Sequence, residues 1–253
     1  MNDQPVDSRP RLDQLLVELG LFTTRSRARD AIQRGTVKVE GNPVTKPGQT
    51  VARSARIAVD DPASNYVSRA ALKLVAALDR FSLDVKGLIA LDIGASTGGF
   101  TQVLLERGAE HVLAVDVGHD QLHESLRGDA RVTSMEGVNA RALEASQLGG
   151  RDIGCVVSDV SFISLKLALP PALAFAQKGA ICALLVKPQF EAGREAIGKG
   201  GILRNSADGE RIAEELKSWL ETQAGWRALG LCPSPIEGGD GNREYLLAGK
   251  KDR

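Results

Sequence analysis

Four charged residues are spaced so that a folded α/β chain would bring their side chains together. Asp159 ends the apolar run CVVSD, and Lys187 ends the run ALLVK. Lys73 lies on a predicted helix, and Glu244 starts the late run EYLLAG. A lysine whose pKa is tuned by burial and a second cation can take or stabilise the proton of a hydroxyl nucleophile. Either lysine–acid pair alone could be structural, but together these four residues are the candidate catalytic group.

A loop of small residues follows a short apolar run in LIALDIGASTGGF, residues 88–100. This pattern predicts a buried strand that turns directly into a helix. Gly94, Gly98 and Gly99 lack the Cβ atoms that would keep a ligand from the backbone. The free N–H groups at the helix start suit a polar or anionic ligand. The loop therefore predicts a nucleotide-like cofactor.

The identity of that cofactor is left open by the loop and by the acid that follows the next strand. Asp116 ends the run HVLAVD, where an acid can accept both ribose hydroxyls of an adenosine. Ser96 stands where the dinucleotide fingerprint has its second glycine, which suits a ligand with an amino-acid portion. NAD and S-adenosylmethionine both carry adenosine. With the second, the lysines would favour an in-line methyl transfer to a hydroxyl.

The elements that must position these residues alternate between strand and helix patterns. Such alternation predicts a doubly wound, Rossmann-like parallel sheet, whose ligands bind beyond the carboxyl ends of the strands. An antiparallel final strand is expected, an ending typical of class I methyltransferases. Strands are predicted near 88–93, 111–117, 130–135, 154–159, 180–186, 226–232 and 243–249, with helices after Ser68 and over about 208–223.

Before this sheet lies a basic segment. From Arg9 to Arg56 there are ten Lys or Arg against four Asp or Glu, a balance of +6, although the whole chain has a net charge of zero. Two short helices and a few strands are predicted here, which suits binding to RNA phosphates. We expect a small α+β RNA-binding domain over 1–60, a linker over 61–67 and a catalytic domain over 68–253. The candidate RNA contacts are Arg11, Arg25, Arg27, Arg29 and Arg34.

Composition excludes several other classes. No apolar run approaches the roughly 20 residues of a membrane helix, and the first residues lack the apolar core of a signal peptide. The three cysteines and three histidines lack metal-ligand spacing. We therefore expect a cytoplasmic protein without a metal site.

The sequence resembles two known families over nearly its whole length. The first 50 or so residues resemble the small RNA-binding domain named after ribosomal protein S-four, through Arg11-Leu12-Asp13, Ser26-Arg27, Ala31-Ile32, Gly35 and Val37–Gly41. The whole chain resembles the TlyA proteins, called haemolysin A or ribosomal RNA 2′-O-methyltransferases and related to the FtsJ ribose methylases. The motifs that carry this are LDIGASTGGFTQVLLERGA, AVDVG, GVNAR, SDVSFISL, VKPQFE, GKGGI and EGGDGNREYLL.

This resemblance implies methylation of a cytidine ribose in ribosomal RNA, with ribosomes or their subunits as substrate. It also implies a Lys–Asp–Lys–Glu tetrad at Lys73, Asp159, Lys187 and Glu244, and S-adenosylmethionine as cofactor. The implied cofactor contacts are Gly94, Ala95, Ser96, Gly98, Gly99, Phe100, Asp116 and Asn139, the last facing adenine.

Alternatives are a membrane-active haemolysin, an RNA-binding assembly factor whose methylase domain is vestigial, and a nicotinamide enzyme. Base methylation is a further one, because Asp159-Val160-Ser161-Phe162 faintly resembles the D-P-P-Y-type loop, whose aromatic residue stacks a flipped base. Phe162 could stack on a target nucleotide or pack in the core.

Overall fold

The structure is a computed structural model that describes residues 9–238 and 241–253. Contacts divide it into two compact units, Met1–Ser64 and Asn65–Arg253, and the division falls inside the predicted linker. The first eight residues of the predicted RNA-binding domain, and residues 239 and 240 of the predicted catalytic domain, lie outside the described residues. Within those residues, no helix has the length and apolar character needed to cross a membrane.

The first unit combines two helices with a small antiparallel sheet. Leu12 and Leu16 share one helix face and enter the core, as their spacing predicts. Thr24 caps the second helix by accepting the N–H of Arg27 at 3.3 Å. Gly35 ends that helix with a φ of 75°, a left-handed conformation that glycine adopts readily. The elements are α1 Leu12–Glu18, α2 Arg25–Gln33, β1 Val37–Val39, β2 Asn42–Pro43 and β3 Ile57–Val59.

A seven-stranded sheet forms the centre of the second unit. Its strands are β4 Ile89–Ile93, β5 His111–Asp116, β6 Val132–Glu136, β7 Ile153–Ser158, β8 Ala176–Val186, β9 Trp226–Pro233 and β10 Tyr245–Lys251. They pair in the order β6-β5-β4-β7-β8-β10-β9. Strands β4 to β8 are parallel, and β10 is antiparallel to both β8 and β9. The predicted Rossmann-like sheet with an antiparallel ending is confirmed.

Helices cover both faces of this sheet, so that its central strands are buried on both sides. Leu91 and Ile93 join one apolar cluster, while Ala90, which precedes them and faces the opposite side of the sheet, joins another. The helices are α3 Ala71–Arg80, α4 Gly99–Glu106, α5 Glu124–Arg127, α6 Leu165–Ala168, α7 Pro170–Phe175, α8 Pro188–Glu191 and α9 Asp208–Thr222. Short 3-10 turns occur at Ala140–Ala142, Ala145–Leu148, Arg194–Ala196 and Lys199–Gly201.

Two of the element boundaries that differ from the prediction have a visible cause. The hydroxyl of Ser68 accepts the N–H of Ala70 at 3.2 Å, so it shapes a turn, and α3 begins only at Ala71. Strand β8 begins earlier than expected because Ala176 already pairs with Ile153, across an irregularity in the ladder.

Candidate active site

One edge of the sheet brings the four predicted catalytic residues together. Asp159 follows β7 and Lys187 follows the neighbouring β8, so both lie at the carboxyl ends of parallel strands. Glu244 precedes β10, whose antiparallel direction places its start at that same edge. Helix α3 packs against β8 and β10 and carries Lys73. The strand order therefore assembles residues that are far apart in the sequence.

The amino group of Lys187 is held between two oxygen atoms. Its Nζ lies 2.7 Å from Oδ1 of Asp159 and donates to Oγ of Ser161 at 2.7 Å. The Lys187 side chain is 10% exposed and that of Asp159 is 15% exposed. Pro188 follows at the start of α8 and keeps Lys187 extended, with φ −113° and ψ 94°. The lysine is thus fixed at both its backbone and its amino group.

Lys73 and Glu244 form the second pair. Their Nζ and Oε2 atoms are 2.6 Å apart, and the side chains are only 6% and 2% exposed. A charge buried this deeply needs its partner, because an unpaired ion in the interior is strongly unfavourable.

A cavity of about 600 Å³ reaches Asp159. Asp116, Asn139 and Val117 line one side and Asp159 and Phe162 the other. A smaller cavity of about 150 Å³ continues from it, and Gly94, Ala95, Ser96, Gly99, Phe100 and Lys187 are among its lining residues. Seven of the eight predicted cofactor contacts therefore line these two cavities, and Lys187 lines the smaller one.

The glycines of the loop have a packing role that the sequence alone does not show. A Cβ on Gly98, the eighth predicted contact, would lie 2.3 Å from Leu126 of α5, so Gly98 admits protein atoms and not a ligand. A Cβ on Gly94 would lie 2.9 Å from Val160, and one on Gly99 would lie 3.0 Å from Ser68. The close approach of a ligand to the backbone of these glycines stays a prediction. The glycines let the loop pack tightly while its backbone lines the cavities.

Asp92 lies beneath this loop and was given no role from the sequence. Its side chain is fully buried, and Oδ2 accepts the hydroxyl of Thr101 at 2.7 Å, whereas Oδ1 has no hydrogen-bond partner among the described residues. Burial, together with the charges of Asp159 and Asp116 and against the Thr101 hydrogen bond, raises the pKa of Asp92 to about 7. Its position at the end of β4, before the loop, was the available signal.

Backbone strain is found at two residues that line the larger cavity. Ser96 has a φ of 47° and Phe162 a φ of 64°, in a region that bulky residues rarely occupy. The Ser96 N–H is thereby directed to Oδ2 of Asp116, at 2.8 Å. Phe162 is 90% exposed. Such strain clusters at functional sites.

The arginines of the first unit differ in how exposed their side chains are. Arg11, Arg25 and Arg29 are exposed, and the first two bind the buried carboxylate of Asp13 through their Nε atoms. Burial acts to raise the pKa of Asp13, but the hydrogen bonds from these two arginines lower it below its usual value. Arg27 is half-buried and donates to the carbonyl of Ala63 at 3.2 Å.

Arg34 departs from the expected role as an RNA contact. Its two terminal nitrogens donate to the two oxygens of Asp61 at 2.7 and 2.9 Å, and its Nε donates to Asp30 at 2.9 Å. The Arg34 side chain is only 15% exposed. This guanidinium therefore fastens the segment after β3 to α2, and little of it remains for a phosphate.

Comparison with known proteins identifies the second unit. Residues 66–251 match the FtsJ-like methyltransferase family. The chain belongs to this family. Residues 10–57 match the S4 domain, as the sequence predicts. The FtsJ-like chain is therefore a methyltransferase that carries an S4 domain before its catalytic sheet.

Several relatives match the sequence of this FtsJ-like chain over nearly its whole length. It is 44% identical to the 16S/23S rRNA (cytidine-2′-O)-methyltransferase TlyA of Mycobacterium tuberculosis, over 94% of this chain and 89% of that protein. It is 40% identical to Hemolysin A of Brachyspira hyodysenteriae, over 93% of this chain and 98% of that protein. A solved structure of a putative hemolysin from Streptococcus thermophilus matches with a TM-score of 0.73 and 42% identity, over 96% of this chain and 88% of that one. The predicted TlyA resemblance is confirmed.

Proposed function

We propose that this methyltransferase transfers a methyl group from S-adenosylmethionine to the ribose 2′-hydroxyl of a cytidine in ribosomal RNA. The observation that carries the proposal is the fixed amino group of Lys187, a residue that lines the smaller cavity and is held by Asp159 and Ser161. The names of the TlyA relatives support the ribose and the ribosomal RNA.

The two cavities suit S-adenosylmethionine in their chemistry. Asp116 keeps acceptor capacity for ribose hydroxyls, because a carboxylate has about four lone-pair sites and its two oxygens accept N–H groups from Ser96 and Gly118. Exposed Val117 and Asn139 can contact an adenine, since they line the same cavity. The start of α4 borders the smaller cavity and presents N–H groups to an amino-acid carboxylate.

The lysine pairs prepare the hydroxyl for attack. S-adenosylmethionine, when bound, supplies the methyl group. Ser161 accepts one N–H group of the Lys187 ammonium and Asp159 pairs with its charge at 2.7 Å, so the amino group can still reach the 2′-oxygen. Lys187 first gives a proton to the Asp159 carboxylate, and the neutral amine then takes the proton of the 2′-hydroxyl as its oxygen attacks. The pair gains one proton, the O–CH3 bond forms as the S–CH3 bond breaks, and S-adenosylhomocysteine would be the leaving group. Lys73 places a second cation at this edge, which favours an oxygen that is losing its proton.

Phe162 offers a stacking surface for the base of the target nucleotide. Its ring is exposed at the cavity wall beside Ser161. A base turned out of its helix is commonly held by an aromatic side chain. The exposed arginines of the S4 domain, Arg11, Arg25 and Arg29, bind RNA phosphates and thereby supply sequence-independent affinity.

The test is transfer of radiolabelled methyl from S-adenosylmethionine to unmodified ribosomal subunits, with Lys187→Ala as the matched inactive variant. We expect label on the ribose of one cytidine with the wild type alone. A wild-type protein that binds the cofactor and labels no RNA would contradict the proposal. Leakage of lipid vesicles at the same protein concentration would favour a haemolysin instead.

A further inference from the structure

Both carboxylate oxygens of Glu191 accept hydrogen bonds from residues 164 and 165, which lie before strand β8 in the sequence. Glu191 is the last residue of α8, and one carboxylate oxygen accepts the hydroxyl of Ser164 at 2.6 Å. Its other oxygen accepts the N–H of Leu165 at 2.8 Å. The carboxylate thus satisfies an N–H group at the start of α6 that has no partner within that helix.

The two segments that leave β7 and β8 touch at two further places. Lys187 meets Asp159 and Ser161, as described above, and the rings of Phe162 and Phe190 lie with centroids 5.1 Å apart. We call residues 159–165 the reaction loop. The contacts therefore run in the same order along the reaction loop and along residues 187–191. The contact of Glu191 is the farthest from the reacting groups.

Val160 and Ile163 of the reaction loop pack against the core, but the two residues between them have little packing of their own. Ser161 is exposed, and Phe162 is 90% exposed with a left-handed φ of 64°. A non-glycine residue in that region costs roughly 1–3 kcal/mol and persists only where its surroundings enforce it. Val160 anchors the near end of the loop under Gly94, and Glu191 anchors the far end.

We infer that Glu191 is a positioning residue for methyl transfer. Its carboxylate fixes the reaction loop, and the loop in turn holds the Ser161 hydroxyl that aims the Lys187 amino group. Without Glu191 the loop relaxes from its strained conformation, Ser161 moves away, and Lys187 keeps only Asp159. The inference rests on the proposed function for its catalytic consequence, but the attachment itself can be measured without any RNA.

The experiment compares Glu191→Ala with Glu191→Gln and with the control Glu195→Ala, which removes an exposed carboxylate a few residues farther along the chain. A glutamine can keep both contacts, since its oxygen accepts the Leu165 N–H and its amide group donates to the Ser164 hydroxyl. Hydrogen exchange of peptides that cover 159–168 is measured on each variant, together with kcat, KM and the affinity for S-adenosylhomocysteine.

We expect faster exchange across the reaction loop in Glu191→Ala alone. We also expect its kcat to fall about tenfold to a hundredfold, as displaced catalytic groups do, with unchanged cofactor affinity and with rescue in Glu191→Gln. In a double-mutant cycle, Ser161→Ala should then cost little more in the Glu191→Ala background, because both changes remove the same contact.

Unchanged exchange in Glu191→Ala would overturn the inference, as would full kcat or additive losses in the cycle. Loss of cofactor affinity with the loss of kcat would also overturn it, because a general structural defect would then explain both. Failure of the proposed function is seen separately, as absent RNA methylation by the wild type, and the exchange experiment still decides whether Glu191 holds the loop.

Discussion

Lys73 Nζ and Glu244 Oε2 lie 2.6 Å apart in surroundings that leave their side chains 6% and 2% exposed. A pair this buried would be found in a catalytic tetrad, but equally in a purely structural contact. The two roles respond differently to substitution. Removing one partner leaves the other as an unpaired buried charge, whereas removing both leaves a neutral interior.

The first prediction uses this difference. Lys73→Met or Glu244→Gln alone should destabilise the protein by about 3–5 kcal/mol, because the remaining ion is unpaired. The double variant should regain much of that stability and still lack methyl transfer. Thermal unfolding and the methylation assay check the two properties side by side. Methyl transfer by the double variant would show that the Lys73–Glu244 pair has only a structural role.

The second prediction concerns pH and Asp92. Its pKa is about 7 in the folded protein against the usual 3.8, so the unfolded chain releases this proton first as the pH rises. Stability is therefore lost between about pH 4 and pH 7, by a few kcal/mol, given about 1.4 kcal/mol for each difference of one in pKa.

Asp92→Asn has no such proton, so its stability relative to wild type should rise over that pH range. Denaturant unfolding at several pH values measures this, with Asp152→Asn at an exposed position as control. A constant difference between Asp92→Asn and wild type from pH 4 to pH 8 would show that Asp92 is ionised in the folded protein throughout.

The third prediction concerns Asp116 and the cofactor. Asp116→Asn should weaken S-adenosylhomocysteine binding by about tenfold or more, since hydrogen bonds to a charged group contribute about 1.5–3 kcal/mol. The substitution also weakens the hydrogen bond that the Ser96 N–H donates to Asp116. Isothermal titration measures the affinity. The control is Asp120→Asn, which changes a side chain that is 89% exposed and should bind S-adenosylhomocysteine normally. If both variants bound it equally well, Asp116 would not be a cofactor contact.

The fourth prediction concerns Phe162 as a stacking surface. Phe162→Ala should lower kcat/KM for RNA about tenfold, because stacking of a base on an aromatic ring contributes about 1–3 kcal/mol. Its melting temperature and cofactor affinity should not fall, as the ring is 90% exposed. Phe162→Trp should retain activity, and Leu167→Ala, at another exposed apolar residue, is the control. A loss of melting temperature in Phe162→Ala would instead indicate a packing role.

The fifth prediction separates two arginines of the S4 domain. Arg29→Ala should weaken RNA binding and reduce the slope of log affinity against log salt by about one, with normal stability. Arg34→Ala should lower the melting temperature, because it leaves the buried Asp61 without its cation. Filter binding at several salt concentrations and thermal unfolding distinguish them. The reverse assignment would follow if Arg34→Ala changed only the salt slope.

Much of this fold is predictable because its signals are local. Apolar runs specify the parallel strands, and Pro188 alone fixes the extended Lys187 and the start of α8. The glycine-rich turn after Asp92 is equally local. These features depend on a few neighbouring residues, so a single sequence contains them.

The features that could not be predicted depend on which segments meet. Ser161 contacts Lys187 only because β7 and β8 are neighbours, and Glu191 reaches Ser164 for the same reason. Gly98 shows that a Cβ is excluded there, but not that Leu126 fills the space. Likewise, the sequence shows that Arg34 is positively charged, but not that Asp30 and Asp61 neutralise it.

The late position of β10 in the chain has a consequence during translation. A ribosome that has passed β8 and Lys187 has already made Lys73 and Asp159, but not Glu244. A domain generally folds as a unit while the chain grows from its N-terminus. Lys73 therefore lacks its partner Glu244 in any nascent chain that stops before residue 244. We expect the nascent enzyme to gain methylation activity only after Glu244 has emerged and β10 has joined the sheet.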